Sequence, residues 1–387
     1  MLIPLEEAHA LIERHFTKRV RTRRVKVWEA LGKVLAEDVI SPIDVPERPL
    51  SAMDGFAVRA EDLEKYASLR IAGKSFPSAK ELRELREGEA FYITTGAPLP
   101  PGANAVVRVE AAKVEGEFVK TSIKVAPGKD VRPAGEDFKR GDLLLQAGRV
   151  VNERDLALLL RAGIEEVEVL DYSSCVLATG DELAPYDSPQ PGKVRDSIAP
   201  TVLGYLSKFG NPLYFGVVPD DENKVLSSIE LATSTCDLVF VVGGSSVGEK
   251  DYVKRAISKL GTLLFEGVSV NVVKRCGVGE VNGKPVISLP GQVVSSVTSF
   301  HEFGLHVLEA LSGVRLRRSV TVELEREVEV RHNMDSVYLF RIEEGRAVPL
   351  RWGVGLYSEL SRADGYAVLK RGMTYRKGER VEVRKFL

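Results

Sequence analysis

The stretch that decides the fold is "DLVFVVGGSSVGEKDYVKRAISKL", residues 237–260, in which an apolar run leads through a glycine-rich loop into an amphipathic segment. The run "DLVFVV" is typical of a strand buried on both faces of a sheet, and "DYVKRAISKL" has helical spacing. From Gly243 to Gly248 the loop has the spacing of a nucleoside-triphosphate loop. It continues with Glu-Lys-Asp (249–251), whereas a triphosphate loop continues with Lys and then Ser or Thr. The stretch therefore predicts a strand–loop–helix unit that is not a standard triphosphate loop.

Similar strand and helix patterns alternate on both sides of this unit. The other strand-like runs are "SCVLATG" (174–180), "PLYFGVV" (212–218) and "KPVISLP" (284–290). The helical patterns are "SIAPTVLGYLSKFG" (197–210), "ENKVLSSIELATS" (222–234) and "VVSSVTSFHEFGLHVLEAL" (293–311). Strands that alternate with helices predict an α/β domain with a parallel sheet and right-handed crossovers.

The remaining segments predict further domains around this α/β domain. Residues 3–16 have helical spacing, and a second, shorter helical stretch is expected within 25–40. Short strands are expected over 46–137, with a hairpin about Glu115–Gly116, and alternating residues over 320–387 predict a small β domain. We therefore expect an α/β multidomain protein with a helical linker domain (1–45 and 138–168), a β-rich inserted domain (46–137), an α/β domain (169–315) and a C-terminal β domain (316–387).

Composition excludes several classes of function. The chain has 387 residues, a formal net charge of -1 and 28% charged residues, a balance that argues against nucleic-acid binding. The basic cluster Lys18–Lys26 is expected to be a solvated face. No apolar run approaches the roughly 20 residues that a membrane span needs, so a cytoplasmic protein is expected. Three widely spaced cysteines predict neither a disulfide framework nor a zinc site, and the scarcity of Gln and Asn indicates a thermophilic source.

Polar and flexible residues follow the ends of the predicted strands. Asp181 and Glu182 come after the first strand, and Asp196 precedes the helix that follows. Gly243 begins the loop after the third strand, and Pro290–Gly291 follows the fourth. Because ligands of parallel α/β sheets bind beyond the carboxyl ends of the strands, these residues are expected to share one rim.

Each of these residues has a functional and a local structural interpretation. The helix N-terminus after Gly243 can hold a phosphate without a lysine, but the loop can also be a tight turn whose Asp251 caps the helix. Asp181 and Glu182 can hold a divalent cation beside that phosphate, or can serve as turn residues. Asp196 can join the cation site or act as an N-cap.

Several motifs resemble one family, the molybdopterin molybdenumtransferases of the MoeA and gephyrin E-domain type. In chain order they are "PLSAMDGFAVRAEDL" (49–63), "TTGAPLPPGANAVVRVE" (94–110), "VRPAGEDFKRGDLLLQAG" (131–148), "ATGDEL" (178–183), "VRDS" (194–197), "GGSSVGEKDYV" (243–253) and "LPGQVVS" (289–295). The similarity spans nearly the whole chain.

The resemblance implies a four-domain, elongated homodimer, in which the α/β domain binds the pterin and the β-rich inserted domain of the partner subunit completes the cleft. Members of the family take adenylylated molybdopterin, hydrolyse the adenylate with a divalent metal (Mg²⁺) and insert molybdate into the dithiolene. Tungstate has nearly the same size and charge as molybdate, so the sequence does not choose between them. Other cofactor-biosynthesis proteins are possible partners.

The resemblance also implies which residues form the site. Asp54, Asp181, Glu182 and Asp196 are expected to be catalytic, the last three as metal ligands. The residues expected to bind the pterin nucleotide are Thr95, Asp137, Gly243, Gly244, Ser246, Gly248, Asp251, Lys274, Pro290, Gly291 and Ser295. Asp54, in "AMDG", can also be a turn aspartate before glycine.

The sequence departs from the family pattern at three places. Ile198 stands where the family usually has Asn two residues after the Asp of "RDS". Gln292-Val293 replaces the usual Asn-Pro, and "NVVKR" (271–275) keeps only Lys274 of two lysines. An Ile in place of Asn removes a donor and an acceptor, and the loss of one cation weakens the binding of a doubly charged oxyanion.

Three functions therefore remain open. The first is an enzyme that inserts molybdate or tungstate into adenylylated molybdopterin with release of AMP. The second is a non-catalytic pterin-binding or carrier paralogue, which the three departures favour. The third is a structural scaffold of the gephyrin kind, although no added linker or tail favours it.

Overall fold

The computed structural model describes residues 2–243 and 251–387, so the predicted site residues Gly244, Ser246 and Gly248 lie outside the described residues. The contacts divide the chain into two compact units. The first unit comprises the chain up to Glu37 with Ala147–Asn152 and Glu166–Leu387, and the second comprises Asp38–Gln146 with Glu153–Glu165. No helix within the described ranges is long and apolar enough to cross a membrane.

The N-terminal segment contains only a short 3-10 turn, Val27–Ala30, where a helical stretch within 25–40 is expected. Its elements are α1 (Leu5–His15), β1 (Thr22–Lys26) and a short 3-10 turn (Val27–Ala30). β1 pairs antiparallel with β12 (Glu166–Leu170). Along β1 only Val25 is buried, next to exposed Arg24 and half-buried Lys26, so the strand is held mainly by its pairing with β12.

The basic cluster at β1 is partly paired with acidic residues of the neighbouring strand. Arg24 lies 3.4 Å from Glu168, and Lys26 lies 2.7 Å from Glu166. Opposite charges across an antiparallel pair stabilise the pairing modestly, so this face is charged and exposed, as expected from the sequence.

The second unit is built mainly of strands, as the short alternating segments predict. Its elements are β2 (Val39–Ile40), β3 (Leu50–Ser51), β4 (Gly55–Val58), α2 (Asp62–Lys65), β5 (Leu69–Ser75), β6 (Glu89–Ile93), β7 (Ala105–Arg108), β8 (Ala112–Glu115), β9 (Phe118–Thr121), β10 (Val131–Arg132), β11 (Leu143–Leu145) and α3 (Glu153–Arg161). The main sheet has the order β7-β4-β6-β5-β9-β8. The predicted hairpin is confirmed, since β8 and β9 pair antiparallel and Gly116 has a φ of 60°.

The α/β part of the first unit contains the predicted alternation. Its elements are β13 (Ser174–Thr179), β14 (Leu183–Ala184), β15 (Val194–Arg195), α4 (Ile198–Leu206), β16 (Pro212–Val218), α5 (Glu222–Thr235), β17 (Leu238–Gly243), α6 (Tyr252–Leu260), β18 (Gly261–Phe265), β19 (Val270–Asn271), β20 (Gly277–Val281), β21 (Lys284–Leu289), α7 (Val293–Ser299) and α8 (Leu305–Ser312). A π-helical turn, Phe300–Gly304, joins α7 to α8. The sheet order is β16-β13-β17-β21-β20-β18, with β16, β13, β17 and β21 parallel and the last two strands antiparallel.

The two faces of this sheet carry separate clusters of apolar side chains. On β13, Val176 packs in one cluster with Phe240 of β17, while Leu177 packs in another with Val241. Residues of α4, α7 and α8 join the first cluster, and residues of α5 and α6 join the second. Helices therefore cover both faces, which is why the strands read as continuous apolar runs instead of alternating ones.

The C-terminal segment forms a small closed sheet. Its elements are β22 (Ser319–Leu324), β23 (Val328–Glu329), β24 (Asp335–Glu343), β25 (Arg346–Pro349), α9 (Tyr357–Arg362), β26 (Gly365–Leu369), β27 (Thr374–Tyr375) and β28 (Arg380–Lys385). The order β24-β25-β22-β28-β26 closes through pairing of β24 with β26. The strand β19 of the α/β part pairs in parallel with β24, which ties this sheet to the segment that leads to Lys274.

The structure corrects the expectation for the cysteines. Cys175 on β13 and Cys236 at the end of α5 form a disulfide across 61 residues of sequence, with their Cα atoms 5.8 Å apart. Cys276 is free and buried. The spacing of the cysteines in the sequence does not indicate this disulfide, because the two thiols meet only where the end of α5 returns to the sheet.

We expect one thiol per chain to react in denaturant without reductant, and three after reduction. The double substitution Cys175→Ala and Cys236→Ala should lower the midpoint of thermal unfolding, since a loop of this length contributes about 4 kcal/mol in the chain-entropy account. Calorimetry with and without reductant provides the control, because reductant should lower the midpoint of the wild type and not that of the double variant. Three reactive thiols in the unreduced protein would contradict the disulfide.

A buried charge cluster joins the π-helical turn to β28. Glu302 is 1% exposed, accepts a hydrogen bond from the Tyr366 hydroxyl at 2.7 Å, and lies 2.5 Å from the Arg384 guanidinium. His9 Nε2 of α1 lies 3.0 Å from the same carboxylate. Burial acts to raise the pKa of Glu302, but His9, Arg384 and Tyr366 outweigh it and hold that pKa at about 2.

Glu302→Gln should lower the free energy of unfolding by about 3 kcal/mol near neutral pH, because it leaves Arg384 without its buried partner. Since the folded pKa of Glu302 lies below its ordinary value of 4.5, the contribution is present above that value and is lost as the pH falls towards about 2. Chemical denaturation of both proteins between neutral and acid pH measures this. Glu323→Gln, at an exposed position of β22, is the matched control, and equal acid sensitivity of wild type and Glu302→Gln would contradict the role.

Candidate functional site

A cleft of about 740 Å³ lies at the carboxyl ends of the parallel strands. It is called the rim cleft below. Its lining includes Thr179 and Gly180 after β13, Gly243 at the end of β17, and Pro290 and Gly291 after β21. Three of the loops expected to share one rim therefore do so, because parallel strands end at the same edge of a sheet.

The order of the strands separates the charges of the rim cleft. At one end, beyond β16 and β13, lie the carboxylates of Asp220, Glu182 and Asp196, together with the single cation Arg195 among the described residues there. At the other end, before β20, lie Lys274 and Arg275. Gly243, the last residue of β17, and the Pro290–Gly291 turn after β21 lie between the two ends. We call these regions the carboxylate end, the glycine centre and the cation end.

In the glycine centre, steric reasons require a glycine at position 243, whereas a Cβ at position 291 would make only an ordinary contact. Gly243 has a φ of 96°, and a Cβ there would lie 2.5 Å from the carbonyl oxygen of Thr179 on the neighbouring strand. A Cβ on Gly291 would lie 3.6 Å from the Gly243 Cα. Small residues at both turns keep the backbone accessible at the middle of the cleft.

Asp196 lies at the carboxylate end but its oxygens are engaged locally. Only 3% of its surface is exposed. Oδ1 accepts hydrogen bonds from the backbone N–H groups of Ile198 and Ala199, and Oδ2 accepts one from the Tyr214 hydroxyl. Asp196 thus caps the start of α4, the structural alternative that its sequence position allowed. Burial, followed by the nearby carboxylate, raises the pKa of Tyr214 well above its ordinary value, so this hydroxyl stays a donor.

Asp181 and Glu182 differ in their surroundings. Asp181 Oδ1 accepts a hydrogen bond from the backbone N–H of Asp220, and the residue lines a smaller neighbouring pocket. Glu182 lines the rim cleft. Within residues 2–243 and 251–387 its carboxylate has no hydrogen bond or ion pair, so it is the carboxylate of the predicted pair that is free to meet a ligand there.

The predicted metal ligands do not form a preassembled metal site. Among the residues that the structure describes, no group of three or more His, Cys, Asp or Glu side chains could hold a metal ion. Mg²⁺, however, is commonly bound by one or two carboxylates together with substrate phosphates. Glu182 fits that mode, whereas the capping role of Asp196 does not favour it.

The cation end contains Lys274, which the sequence singled out, and Ser295, which is 3% exposed. Within the described part of the chain, the ammonium group of Lys274 has no acidic partner. Arg195, on β15, pairs with Ala184 of β14 and so lies near Glu182 and Asp196 at the carboxylate end of the rim cleft, where it too has no acidic partner among the described residues. Unpaired cations beside small polar residues suit an oxyanion or phosphate ligand.

The segment 271–275, one of the departures from the family pattern, has its own local geometry. Val272 has a φ of 75°, and its backbone N–H donates a hydrogen bond to the Asn271 side-chain oxygen at 3.0 Å. Asn271 and Val272 line the rim cleft beside Lys274. The other two departures are also placed at the cleft: Ile198 and Gln292 line it.

Asp251 acts as a helix cap. Its carboxylate accepts a hydrogen bond from the backbone N–H of Lys254 at 3.3 Å and lies 2.9 Å from the ammonium group of the same residue. The alternative interpretation of Asp251 as the N-cap of α6 therefore describes its contacts, and it does not line the rim cleft.

Two predicted residues of the second unit lie together. Asp54 Oδ1 accepts hydrogen bonds from the backbone N–H of Thr95 at 2.6 Å and from its hydroxyl at 2.8 Å. These bonds lower the pKa of the Asp54 carboxyl and keep it ionised. Asp137, the third predicted residue of this unit, is exposed, and its backbone N–H donates to Val45.

The rim cleft contains residues that the sequence reasoning missed. Asp220 follows β16, so the rule that ligands lie beyond strand ends could have identified it from "VVPDD". Trp352 and Tyr357, which also line the cleft, come from the C-terminal segment. Nothing in the order of residues along the chain indicates that these two aromatic side chains return to the rim.

Comparison with known proteins covers both parts of the chain. The profile described as "MoeA N-terminal region (domain I and II)" matches residues 3–163. The profile described as "Probable molybdopterin binding domain" matches residues 175–310, the segment that supplies most of the rim cleft.

Individual relatives extend over nearly the whole length. A molybdopterin biosynthesis protein of Methanocaldococcus jannaschii is 32% identical over 402 aligned residues, covering 99% of this chain and 98% of the relative. The molybdopterin molybdenumtransferase of Haemophilus influenzae is 33% identical over 316 residues, covering 81% of this chain and 78% of the relative. The crystal structure of the molybdopterin biosynthesis MoeA protein from Pyrococcus horikoshii matches with a TM-score of 0.81 and 28% identity over the full length of both chains. The chain therefore belongs to the MoeA family.

Proposed function

We propose that this protein acts in molybdenum cofactor biosynthesis as a molybdopterin molybdenumtransferase. It inserts molybdate or tungstate into adenylylated molybdopterin and releases AMP. The observation that carries the proposal is the distribution of charge along the rim cleft, with Glu182, Asp196 and Asp220 at one end and Lys274, which has no acidic partner among the described residues, at the other. Such a cleft suits an extended substrate that undergoes phosphoanhydride cleavage at one end and receives an oxyanion at the other.

The names of the relatives support the same reaction class. The Haemophilus influenzae relative is a molybdopterin molybdenumtransferase, and the Methanocaldococcus jannaschii relative is a molybdopterin biosynthesis protein. The molybdopterin-binding profile coincides with the segment that carries Glu182, the glycine centre and Lys274.

At the carboxylate end, Glu182 would hold Mg²⁺ together with the substrate phosphates, and the ion would polarise the phosphoanhydride. Asp181 would position the backbone of Asp220 beside it through the hydrogen bond at 3.2 Å. Asp196 would cap the N-terminus of α4 and orient the Tyr214 hydroxyl. The small residues of the glycine centre would let a phosphate approach the backbone closely.

At the cation end, Lys274 would attract the molybdate or tungstate dianion, with Ser295 and the Pro290–Gly291 turn beside it. The ionic attraction is strong here because the Lys274 ammonium has no competing carboxylate among the described residues. A hydroxyl and a cation together provide both a hydrogen-bond donor and charge for an oxyanion.

We further propose that the chain works as a homodimer, as the resemblance to the family implies. In that arrangement the second unit of one protomer, with Asp54, Thr95 and Asp137, would complete the cleft of its partner. The pairing of Asp54 with Thr95 supports a preformed ionised carboxylate that could contribute to such a site.

A non-catalytic pterin-binding or carrier role is the second candidate. It is favoured by Ile198, whose apolar side chain lines the rim cleft where the family usually has an amide. Under this alternative the protein binds the pterin nucleotide without releasing AMP. A turnover assay with adenylylated molybdopterin, Mg²⁺ and molybdate or tungstate separates the two, because tight binding without AMP release would contradict the enzyme.

Glu182→Gln should lower the kcat of AMP release by about 100-fold or more, because it removes a carboxylate that lines the rim cleft. Asp181→Asn should lower it less, because Asp181 acts through the backbone of Asp220. AMP release at saturating Mg²⁺ is the measurement. Asp187→Asn provides the matched control, because Asp187 is exposed in the loop after β14 and does not line the rim cleft. Unchanged AMP release in Glu182→Gln would refute the cation-holding role.

Lys274→Met should raise the molybdate or tungstate concentration needed for half-maximal cofactor formation by about tenfold, because it removes the unpaired cation while keeping an apolar stem of similar length. Cofactor formation is measured against oxyanion concentration for both anions. Lys193→Met, at an exposed lysine outside the rim cleft, is the control. If the two variants respond equally, Lys274 does not bind the oxyanion.

A further inference from the structure

The segment from Trp352 to Tyr357 crosses the rim cleft between its two ends. In the middle of the segment the carbonyl oxygen of Val354 accepts a hydrogen bond from the backbone N–H of Val294 at 3.0 Å. Val294 belongs to the first turn of α7, directly after the Pro290–Gly291 turn. The segment is therefore fixed over the glycine centre by the backbone.

Trp352 lies at the cation end. Its indole N–H donates to the carbonyl oxygen of Val337 on β24 at 3.1 Å. The beginning of β24 pairs with β19, Val270–Asn271, and Lys274 follows β19 by three residues. The same strand pair thus holds both the indole and the segment that carries the lysine.

Tyr357 lies at the opposite end. Its hydroxyl oxygen is 2.8 Å from the hydroxyl oxygen of Ser197, the residue after Asp196. The polar atom of each aromatic side chain therefore has a partner, and the two rings lie at different ends of the same cleft.

The indole of Trp352 is held in place and remains accessible. The His332 ring packs against it with centroids 4.3 Å apart, while 38% of the Trp352 surface stays exposed. A large aromatic ring that is fixed, satisfied at its N–H and open at a binding cleft is suited to stack on a planar ligand ring.

We propose that Trp352 selects the substrate by stacking its indole on the pterin ring. This inference rests on the proposed function, because it uses the two planar groups of adenylylated molybdopterin, the adenine and the pterin. The oxyanion reacts at the dithiolene attached to the pterin, so the pterin belongs at the cation end with Lys274. Trp352 stands at that end, whereas the adenylate belongs at the carboxylate end, near Tyr357.

The test is calorimetric titration of the full-length protein with two separate probes, neopterin as a free pterin and AMP as the free nucleotide. Trp352→Ala should weaken the binding of neopterin by about tenfold or more and leave the Kd for AMP unchanged. Trp352→Phe keeps an aromatic face and should restore most of the affinity. The thermal midpoint of each variant shows whether the fold is intact, and Trp28→Phe, at an exposed tryptophan outside the cleft, is the matched control.

Equal neopterin affinity of the wild type and Trp352→Ala would overturn the stacking role. Loss of AMP affinity with retained neopterin affinity would also overturn it, because it would assign the adenine to Trp352. Weaker neopterin binding that Trp352→Phe does not restore would indicate a purely structural role and contradict the proposal. These binding results do not depend on AMP release, so a protein that binds neopterin through Trp352 without turnover would contradict the enzyme and leave this inference standing.

Discussion

The parallel pairing of β13 with β17, and of β17 with β21, is the constraint on which the rim cleft depends. It ends the three strands at the same edge and places Gly243 directly opposite Thr179, at a distance that leaves no space for a side chain. A glycine is therefore required at the end of β17, where the strand reaches the rim. The carboxylates of the rim cleft lie beyond β13 and β16, and Lys274 lies before β20. The positions of these carboxylates and of Lys274 along the rim cleft are thus a consequence of strand order.

The antiparallel strands at the far side of the sheet have an equally direct role. Because β20 runs opposite to β21, its beginning lies at the carboxyl edge of the parallel strands, and the residues just before it enter the rim cleft. β19, a few residues earlier, pairs with β24 and joins the α/β part to the C-terminal sheet. The segment Trp352–Tyr357 is carried back to the rim by this connection. Trp352 and Tyr357, from the C-terminal segment, therefore line the rim cleft together with polar residues of the α/β part.

The alternation of strands and helices over 174–311 was predictable, because apolar runs ending in glycine and helical spacing both have local causes. The helical stretch expected within 25–40 is present only as the 3-10 turn Val27–Ala30, because the residues just before it, Thr22–Lys26, pair as a strand with Glu166–Leu170, more than a hundred residues away. The expectation for the cysteines was wrong for the same kind of reason. Asp251 and Asp196 were placed at helix starts, and the structure shows that their carboxylates cap those helices. In both cases the local alternative described the contacts, because a buried helix N-terminus must satisfy its free N–H groups.

The sequence by itself determined the family motifs, the α/β class and the presence of glycines, carboxylates and a lysine at the ends of successive elements. These features follow from local backbone preferences and from the period of apolar residues, both of which can be read from the amino-acid sequence alone. Only the tertiary structure decided which carboxylate is free in the cleft and which is committed to a cap, that Cys175 meets Cys236, and that Trp352 and Tyr357 stand at opposite ends of the site. Each of these outcomes depends on contacts between residues far apart in sequence, and the geometry of such contacts is set by strand order and crossover, not by any local pattern.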